Sequence, residues 1–529
     1  MTGQHSQSVR GLDAAGAVKG NRDGQFGARF GRMFPDLPAA TYGATGGEEN
    51  DNLAILAGKM VSPFDPPKDG PDDEESGIPA LYTYLGQFID HDLTFDPDGS
   101  FQKQRDPGAT IDFRTPAFDL DNVYGRGPGD QPYMYAADGK TMLLGDPITN
   151  GDPHARDLQR NADGRALIGD PRNDENAIVS QLQGLFLRYH NHTVRRHPAA
   201  SFHHVQKIVR DHYQYMVVND FLPRIVHRSV LDQLKTGGIF DRDRLKYFTQ
   251  LANPFMPIEF STAAYRLGHS MIRPGYRLND AVLLPIFPLP VGQAPGFGEG
   301  LTGFRRLISN WAIDWGRFID IDQRDYGTQN PATNPPSTDA QAQADKVANF
   351  RRLQFAYRLD TALVDPLANL PPPVVGANDP RKSLALRNLE RGRQFGLPSG
   401  QAVADAMKVE ALDDNQILIG QGVDGAALKG IVEATGVQKF ACNCPLWTYI
   451  LAEAMQYREN PPRGAPVKPA QPIGTPQLGP VGGRIVAEVF LGLLFADKES
   501  YLCRDPGWRP EDQPDFGLKH FVMRALAAG

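Results

Sequence analysis

One segment limits the folds open to this chain more than any other. Residues 79–95 form an apolar run of helical period that nonetheless carries a histidine between two carboxylates. Leu81, Tyr84, Leu85, Phe88 and Ile89 fall on one helical stripe, and within it stands Gly86-Gln87-Phe88-Ile89-Asp90-His91-Asp92. Ionisable groups on a segment bound for the core cost desolvation unless each has a partner. Successive helical residues point about 100° apart, so Asp90, His91 and Asp92 cannot share one ligand. Gln87, four residues before His91, does share its face. The residues alone allow two readings. One is a buried capping or salt-bridge cluster; the other is an acid–base histidine whose neighbouring carboxylates hold a metal or cofactor.

The rest of the chain is read as mainly α. The segments 174–196 and 201–220 repeat the helical spacing through Ile178, Leu182, Leu185, Phe186 and Tyr189, then Val205, Ile208, Val209, Tyr213 and Met216. Asp174 and Ser201 are available as their caps. Leu301–Phe318, Asp339–Tyr357 and Val481–Ala496 are further helical predictions, the last apolar on most faces. Long loops follow from the 44 prolines and 54 glycines. Pro-rich joints near 330–336, 370–373 and 461–480 do not separate blocks with motifs of their own. At 529 residues the chain could form one large domain or several. The spread of motifs from residue 87 to 391 favours a flexible N-terminal arm over 1–30 and one large domain over 31–529.

Several function classes are excluded early. A net charge of −7 and the lack of a basic cluster give no footprint for nucleic acid or an anionic membrane surface. No run of 18 apolar residues predicts a transmembrane helix. The N-terminus lacks the apolar core of a signal peptide, so the expectation is a cytoplasmic protein or one exported by a signal-independent route. Cys442, Cys444 and Cys503 are too few to staple a chain of this size. They read as small hydrophobes, with one pairing to Cys503 open. Partners should be small molecules.

Four further clusters carry chemistry-bearing residues. Thr115-Pro116-Ala117-Phe118-Asp119-Leu120-Asp121 sets oxygen donors at alternate positions of a loop. The Thr115, Asp119 and Asp121 side chains and the Ala117 carbonyl, joined by Asp92, are hard ligands that suit calcium. Alternatively, this is one more Asp-rich turn. Asp170-Pro171-Arg172-Asn173-Asp174-Glu175-Asn176 opens a predicted helix, with Arg172 at its edge and Glu175 about one turn further in; it reads equally as a proline turn with capping acids. Tyr265-Arg266-Leu267-Gly268-His269-Ser270 places a small residue before a histidine, which allows a bulky planar group to approach. A satisfied core histidine is the plain alternative. Asn388-Leu389-Glu390-Arg391-Gly392-Arg393 by itself is a basic helix surface.

The order of the clusters says more than any one of them. GQFIDHD, TPAFDLDNVYG, RNDEN, YRLGHSMIRP and RNLERGRQFGLP, in that order, resemble the peroxidase–cyclooxygenase superfamily, above all the bacterial relatives of myeloperoxidase and lactoperoxidase. The resemblance spans roughly residues 30–510 and implies the large, mainly helical fold of animal-type haem peroxidases. It implies hydrogen peroxide as oxidant, with His91 as distal histidine, Gln87 as distal glutamine and Arg172 as distal arginine. His269 would be the proximal iron ligand and Asn388 the partner of its other ring nitrogen. Arg266 and Arg391 would pair with haem propionates. Asp90 and Glu175 match carboxylates that can form ester bonds to haem, so the cofactor is haem b or ester-linked haem. Asp92, Thr115, Ala117, Asp119 and Asp121 match a calcium loop, with Asp121 where the mammalian enzymes typically carry serine. Asn176 stands where myeloperoxidase has its sulfonium-forming methionine, so that link is not expected.

The donors implied are small anions such as iodide, bromide or thiocyanate, or phenolic and aromatic compounds. Fatty-acid dioxygenases of the same superfamily form their radical on a tyrosine three residues before the proximal histidine. Here that position is Arg266, and Tyr265 is one place too early. A non-catalytic calcium-binding structural or adhesion module is the remaining alternative.

Overall fold

The computed structural model describes residues 28–70, 72–94, 111–112, 116–252, 254–288, 300–322, 324, 350–371, 375, 381–422, 427–459 and 474–527. Its longer helices are α1 (Gly46–Lys59), α2 (Leu81–Leu93), α3 (Ala177–Arg196), α4 (Phe202–Met216), α5 (Leu384–Gln394), α6 (Gly400–Met407), α7 (Leu446–Ala454), α8 (Pro480–Ala496) and α9 (Leu518–Leu526). Strands are short. β1 (Ala28–Gly31) lies between β3 (Ile111–Asp112), antiparallel to it, and β4 (Met256–Pro257), parallel to it. β2 (Glu75–Pro79) pairs antiparallel with β7 (Phe355–Tyr357), Glu75 opposite Tyr357 and Pro79 opposite Phe355. β5 (Gly275–Arg277) pairs with β6 (Leu283–Pro285), just after His269. The protein is mostly helical, as its sequence predicts. No helix among the described residues is long and apolar enough to cross a membrane.

The helices that carry the site are buried almost all round. Along α2 only Gly86, Gln87 and Asp90 are not fully buried, three positions on one helical face. α3 packs on α2, α4 and α9. Phe88 of α2 stacks on Phe186 of α3 with ring centroids 4.1 Å apart, while Tyr213 of α4 meets both rings edge-on. α8 is apolar enough to run through the interior, with Val481–Phe495 all buried. One contiguous apolar core runs from Phe30 to Ala525.

Several sequence expectations shift. Asn176, not Asp174, caps α3, accepting from the amides of Ile178 and Val179. Asp174 instead pairs with Arg160 at 2.6 Å, so a tertiary partner takes the acid away from the helix end. Ser201 caps α4 as expected. α4 then widens into a π-helical turn over Val217–Phe221. Leu301–Phe318 is not a helix: it holds turns and a 3-10 segment at Trp315–Arg317. Its start instead lies alongside the 174–177 segment, with Gly303 N donating to Glu175 O at 2.9 Å and Ala177 N to Leu301 O at 2.9 Å. A Cβ at Gly303 would stand 1.9 Å from Asp174 O, so only glycine permits this approach. Of the predicted helix Asp339–Tyr357, residues 339–349 lie outside the described residues and Phe355–Tyr357 is strand β7. The expected boundary at residue 31 falls inside β1, since Ala28–Gly31 already pairs with two strands. Residues 1–27 lie outside the described residues.

Candidate functional site

The partly exposed face of α2, bearing Gln87 and Asp90, is met by Glu175 and Arg266, and Arg172, His269 and Arg391 are likewise partly accessible; this side of α2 is termed the cleft. His91 lies one turn beyond Gln87 and is 4% exposed. Its Nδ1 is 2.7 Å from Asn173 Oδ1. With the amide oxygen toward the ring, Nδ1 donates and Nε2 keeps its lone pair. Burial, helped by the nearby Arg172 charge, lowers the His91 pKa to about 4, and the ring is neutral at ordinary pH.

Arg172 comes from a short 3-10 turn, Pro171–Asp174, rather than from the predicted helix edge. Its guanidinium donates to the carbonyl oxygens of His91 (3.1 Å) and Thr94 at the end of α2. Asp170 holds it from the other side, Oδ2 to Nη2 at 2.8 Å, and is itself fully buried. The arginine is thus clamped between a carboxylate and the α2 terminus, and a fixed charge stands beside the histidine. Glu175 follows, its pKa raised to about 7 by burial. Gln87 donates to its carboxylate, and Gln87 Oε1 accepts from Asn176 Nδ2 at 3.2 Å.

His269 ends the 3-10 helix Ala264–His269. Its Nδ1 lies 2.8 Å from Asn388 Nδ2 of α5. The amide's nitrogen and oxygen exchange by a half-turn about the side chain; with the oxygen toward the ring, Nδ1–H donates and Nε2 is left free as a ligand. Burial lowers the His269 pKa to about 3, so the ring is neutral as a metal ligand must be. A Cβ added at Gly268 would meet nothing within 4 Å, which leaves open space beside the histidine. Arg266 Nη1 reaches 3.9 Å from Asp90 Oδ2 and so ties this helix to α2 across the cleft. Arg391 lies one helical turn after Asn388 on α5, its guanidinium 5.4 Å from the Phe395 ring centre. The Tyr265 hydroxyl donates to Gly86 O at 3.1 Å, and its ring stacks on Phe260.

Asp92 points to the opposite side of α2 from the cleft. With Asp119 and Asp121 it offers carboxylate oxygens that all lie within 4.8 Å of one another. Asp92 and Asp119 are buried. Three carboxylates so close in a low-dielectric interior require a cation or bound protons, and an all-oxygen donor set suits calcium. The loop turns sharply here: Leu120 has φ +60°, a left-handed conformation unusual for leucine. Ala117 is buried beside the acids, whereas Thr115 lies outside the described residues. Asn122 Nδ2 donates to Phe88 O at 3.2 Å, and Asp170 N donates to Asn122 O at 3.0 Å. The acidic loop therefore fastens α2 to the segment bearing Arg172. Gly169 is the pivot, since a Cβ there would lie 2.3 Å from Asp121 O.

Contacts thus link Gln87 to Glu175, Asp90 to Arg266, His91 to Arg172 and His269 to Asn388, with Arg391 one helical turn from Asn388. Asp92, Ala117, Asp119 and Asp121 gather behind α2. Two polar residues at the site escaped the sequence reading: Asn173 against His91, and Asp170 against Arg172. Both stood inside a cluster already singled out; the His91 partner of Asn173 is set by tertiary contact and leaves no spacing signal, whereas Asp170 bonds Arg172 two residues on, a local contact within the motif itself.

Residues 99–287 match the family model described as animal haem peroxidase. That stretch contains Arg172 and His269 but not His91 or Asn388. Human thyroid peroxidase is 27% identical over 240 residues, 44% of this chain and 21% of that protein. A Drosophila melanogaster dual oxidase is 29% identical over 164 residues, 29% of this chain and 9% of that protein. These matches span well under two thirds of either relative. Among solved structures, peroxidase A of Dictyostelium discoideum is similar over 97% of this chain and 96% of its own, with TM-score 0.55 and 15% identity. An Oryza sativa fatty acid alpha-dioxygenase follows, over 95% of this chain and 79% of its own, with TM-score 0.51 and 16% identity. At such identities the structural likeness speaks for the fold alone.

Proposed function

Because this chain belongs to the peroxidase–cyclooxygenase superfamily of haem proteins, we propose that it is a hydrogen-peroxide-dependent peroxidase whose catalytic pair is His91 and Arg172. One observation carries the reading. The Arg172 guanidinium donates to the His91 carbonyl and pairs with Asp170, so histidine and charge are held side by side on the helix whose Asp90 meets Arg266, three residues before His269. His269 would hold the iron, with Asn388 fixing its ring and raising its basicity. Arg266 and Arg391 would bind the propionates. The haem, when bound, supplies the redox chemistry that cleaves the peroxide bond. His91 Nε2 takes the proton from one peroxide oxygen and returns it to the departing oxygen as water forms. Arg172 stabilises the negative charge that develops on that leaving oxygen.

Asp92, Asp119, Asp121, the Ala117 carbonyl and Thr115 are proposed to bind calcium, which would fix the residue next to His91. Asp90 and Glu175 are the proposed points of ester linkage. Haem extracted intact by acidified butanone would exclude those bonds. The proposed electron donors are small anions held near Gln87, or phenols; turnover indifferent to iodide, bromide and thiocyanate would remove the first class. The absorption spectrum of haem-loaded protein, before and after one equivalent of peroxide, tests the whole reading. A Soret band that shifts on peroxide addition is expected. No Soret band would favour a non-catalytic calcium-binding module, and oxygen uptake with linoleate in the absence of peroxide would favour a dioxygenase. The bonding of Tyr265 to Gly86 O and the arginine at 266 support the peroxidase over that second activity.

A further inference from the structure

Behind His91, on the side away from the cleft, lies a chain of two buried amides. Asn173 Oδ1 faces His91 Nδ1 at 2.7 Å, and Asn173 Nδ2 donates to Gln183 Oε1 at 2.9 Å. Asn173 and Gln183 are both 0% exposed. They come from different elements, Asn173 from the 3-10 turn that carries Arg172 and Gln183 from the second turn of α3. An asparagine alone could present either end to the imidazole. In the arrangement shown Gln183 Oε1 engages its NH2 group, while Gln183 Nε2 is buried with no hydrogen-bond partner among the described residues, so the two amides turn as a pair; with the pair in this sense the oxygen faces His91, and an oxygen there demands a proton on Nδ1. The lone pair is thereby forced onto Nε2, the nitrogen that must receive the peroxide proton. The same turn also fixes Arg172, so one short segment sets both the direction of the base and the position of the charge.

We infer that Asn173, with its amide oriented by Gln183, is a positioning residue that selects the reactive tautomer of His91. This rests on the reading of His91 as the base. Asn173 has no contact with the reacting atoms; it acts through the imidazole. Were its amide free to turn, the NH2 group would face Nδ1, the proton would move to Nε2, and the ring would present a donor where an acceptor is needed. The other wall of the cleft offers no substitute, since the second histidine there is committed to Asn388.

Two measurements test this, and neither requires turnover. In protein labelled with ¹⁵N-histidine, long-range ¹H–¹⁵N correlation spectra report which ring nitrogen is protonated, with the His91 signal assigned by its absence in H91Q. The wild type should show Nδ1–H. In Asn173→Ala that preference should be lost, and in Asn173→Asp, which keeps an oxygen acceptor, it should be retained. The second measurement is the rate of cyanide association with the ferric haem-loaded protein, because hydrogen cyanide must surrender its proton to a base on binding. Asn173→Ala should slow association about 10–100-fold, the usual range for groups that orient an active residue. Asn173→Asp should restore most of it. Should the alanine variant fail to fold, Gln183→Leu, which leaves Asn173 in place but frees its amide, should lower both readouts in the same direction and by less. An Nε2–H tautomer in the wild type, or Asn173→Ala and Gln183→Leu proteins that match the wild type in tautomer and cyanide rate, would overturn the inference. Normal results here in a protein that ignores peroxide would instead sink the peroxidase reading and leave the tautomer selection standing.

Discussion

Two histidines face the cleft, and each meets an asparagine at Nδ1, at 2.7 Å for His91 and 2.8 Å for His269. What surrounds them differs. His91 lies in the last turn of a 13-residue helix, almost wholly covered, with a guanidinium bonded to its own carbonyl. Three separated pieces of chain hold it: α2, the 169–175 segment and the acidic loop. His269 ends a six-residue 3-10 helix, keeps partial exposure, and has open space beside Gly268. The first surrounding fixes a proton acceptor and a charge at one place. The second leaves room for something planar to lie against the ring. On the proposed reading the same pair of residue types would serve once for proton transfer and once for ligation.

The comparison breaks most visibly if either histidine is removed. His269→Ala should lose stoichiometric haem binding, seen as loss of the Soret band from protein purified after haem loading. His91→Ala should keep the band and slow the reaction with peroxide by about 10²–10⁴-fold, the range for general acid–base groups. Equal loss of haem in both variants would show that the two sides are not functionally distinct. A smaller asymmetry should follow from removing calcium. Chelation should strip the proposed cation from the Asp92–Asp119–Asp121 cluster and loosen the loop that ties α2 to Arg172. Cyanide association should slow while haem stays bound, and added calcium should reverse it. Equal release of haem on chelation would mean that the loop supports both sides.

How much of this could be read from the sequence depended on how local the information was. The α2 stripe, the Ser201 cap and the buried α8 follow from spacing and capping within a few residues, and all three are found. The site residues were legible as clusters because each motif is contiguous, and contacts in the fold link eight of them in four pairs. Leu301–Phe318 failed because its periodicity competes with a backbone pairing that Gly303 permits and that no window of local sequence contains. Phe304, at φ +56°, breaks any helix there outright. Asn173 and Asp170 went unread for a related reason. An amide before a helix reads as a cap, and only the approach of α2 turns Asn173 toward His91; Asp170 does cap its 3-10 turn and, from that position, also pairs with the guanidinium of Arg172.

His190 supplies the control for the pair. It too is fully buried, its pKa lowered to about 4 chiefly by burial. Yet both ring nitrogens are occupied, Nδ1 by the Tyr124 hydroxyl at 3.1 Å and Nε2 by Lys140 O at 2.9 Å. This is the satisfied core histidine that a lone buried imidazole usually represents, and low pKa alone does not mark a site. Its consequence is for stability. The unfolded ring binds a proton near pH 6.5, and the folded one only near 4. Between those values the unfolded chain binds more protons, so stability present above pH 6.5 falls as the pH drops toward 4. The contribution of this one group is at most about 3 kcal/mol. His190→Gln should therefore flatten the pH dependence of urea unfolding between pH 6.5 and 4. At neutral pH it should cost about 1 kcal/mol for the hydrogen bond that glutamine cannot reproduce. Haem binding and cyanide association should stay as in the wild type. A Soret or cyanide change as large as that from the cleft histidines would mean that the polar network around His190 reaches the site, and burial would no longer separate structural from chemical imidazoles in this fold.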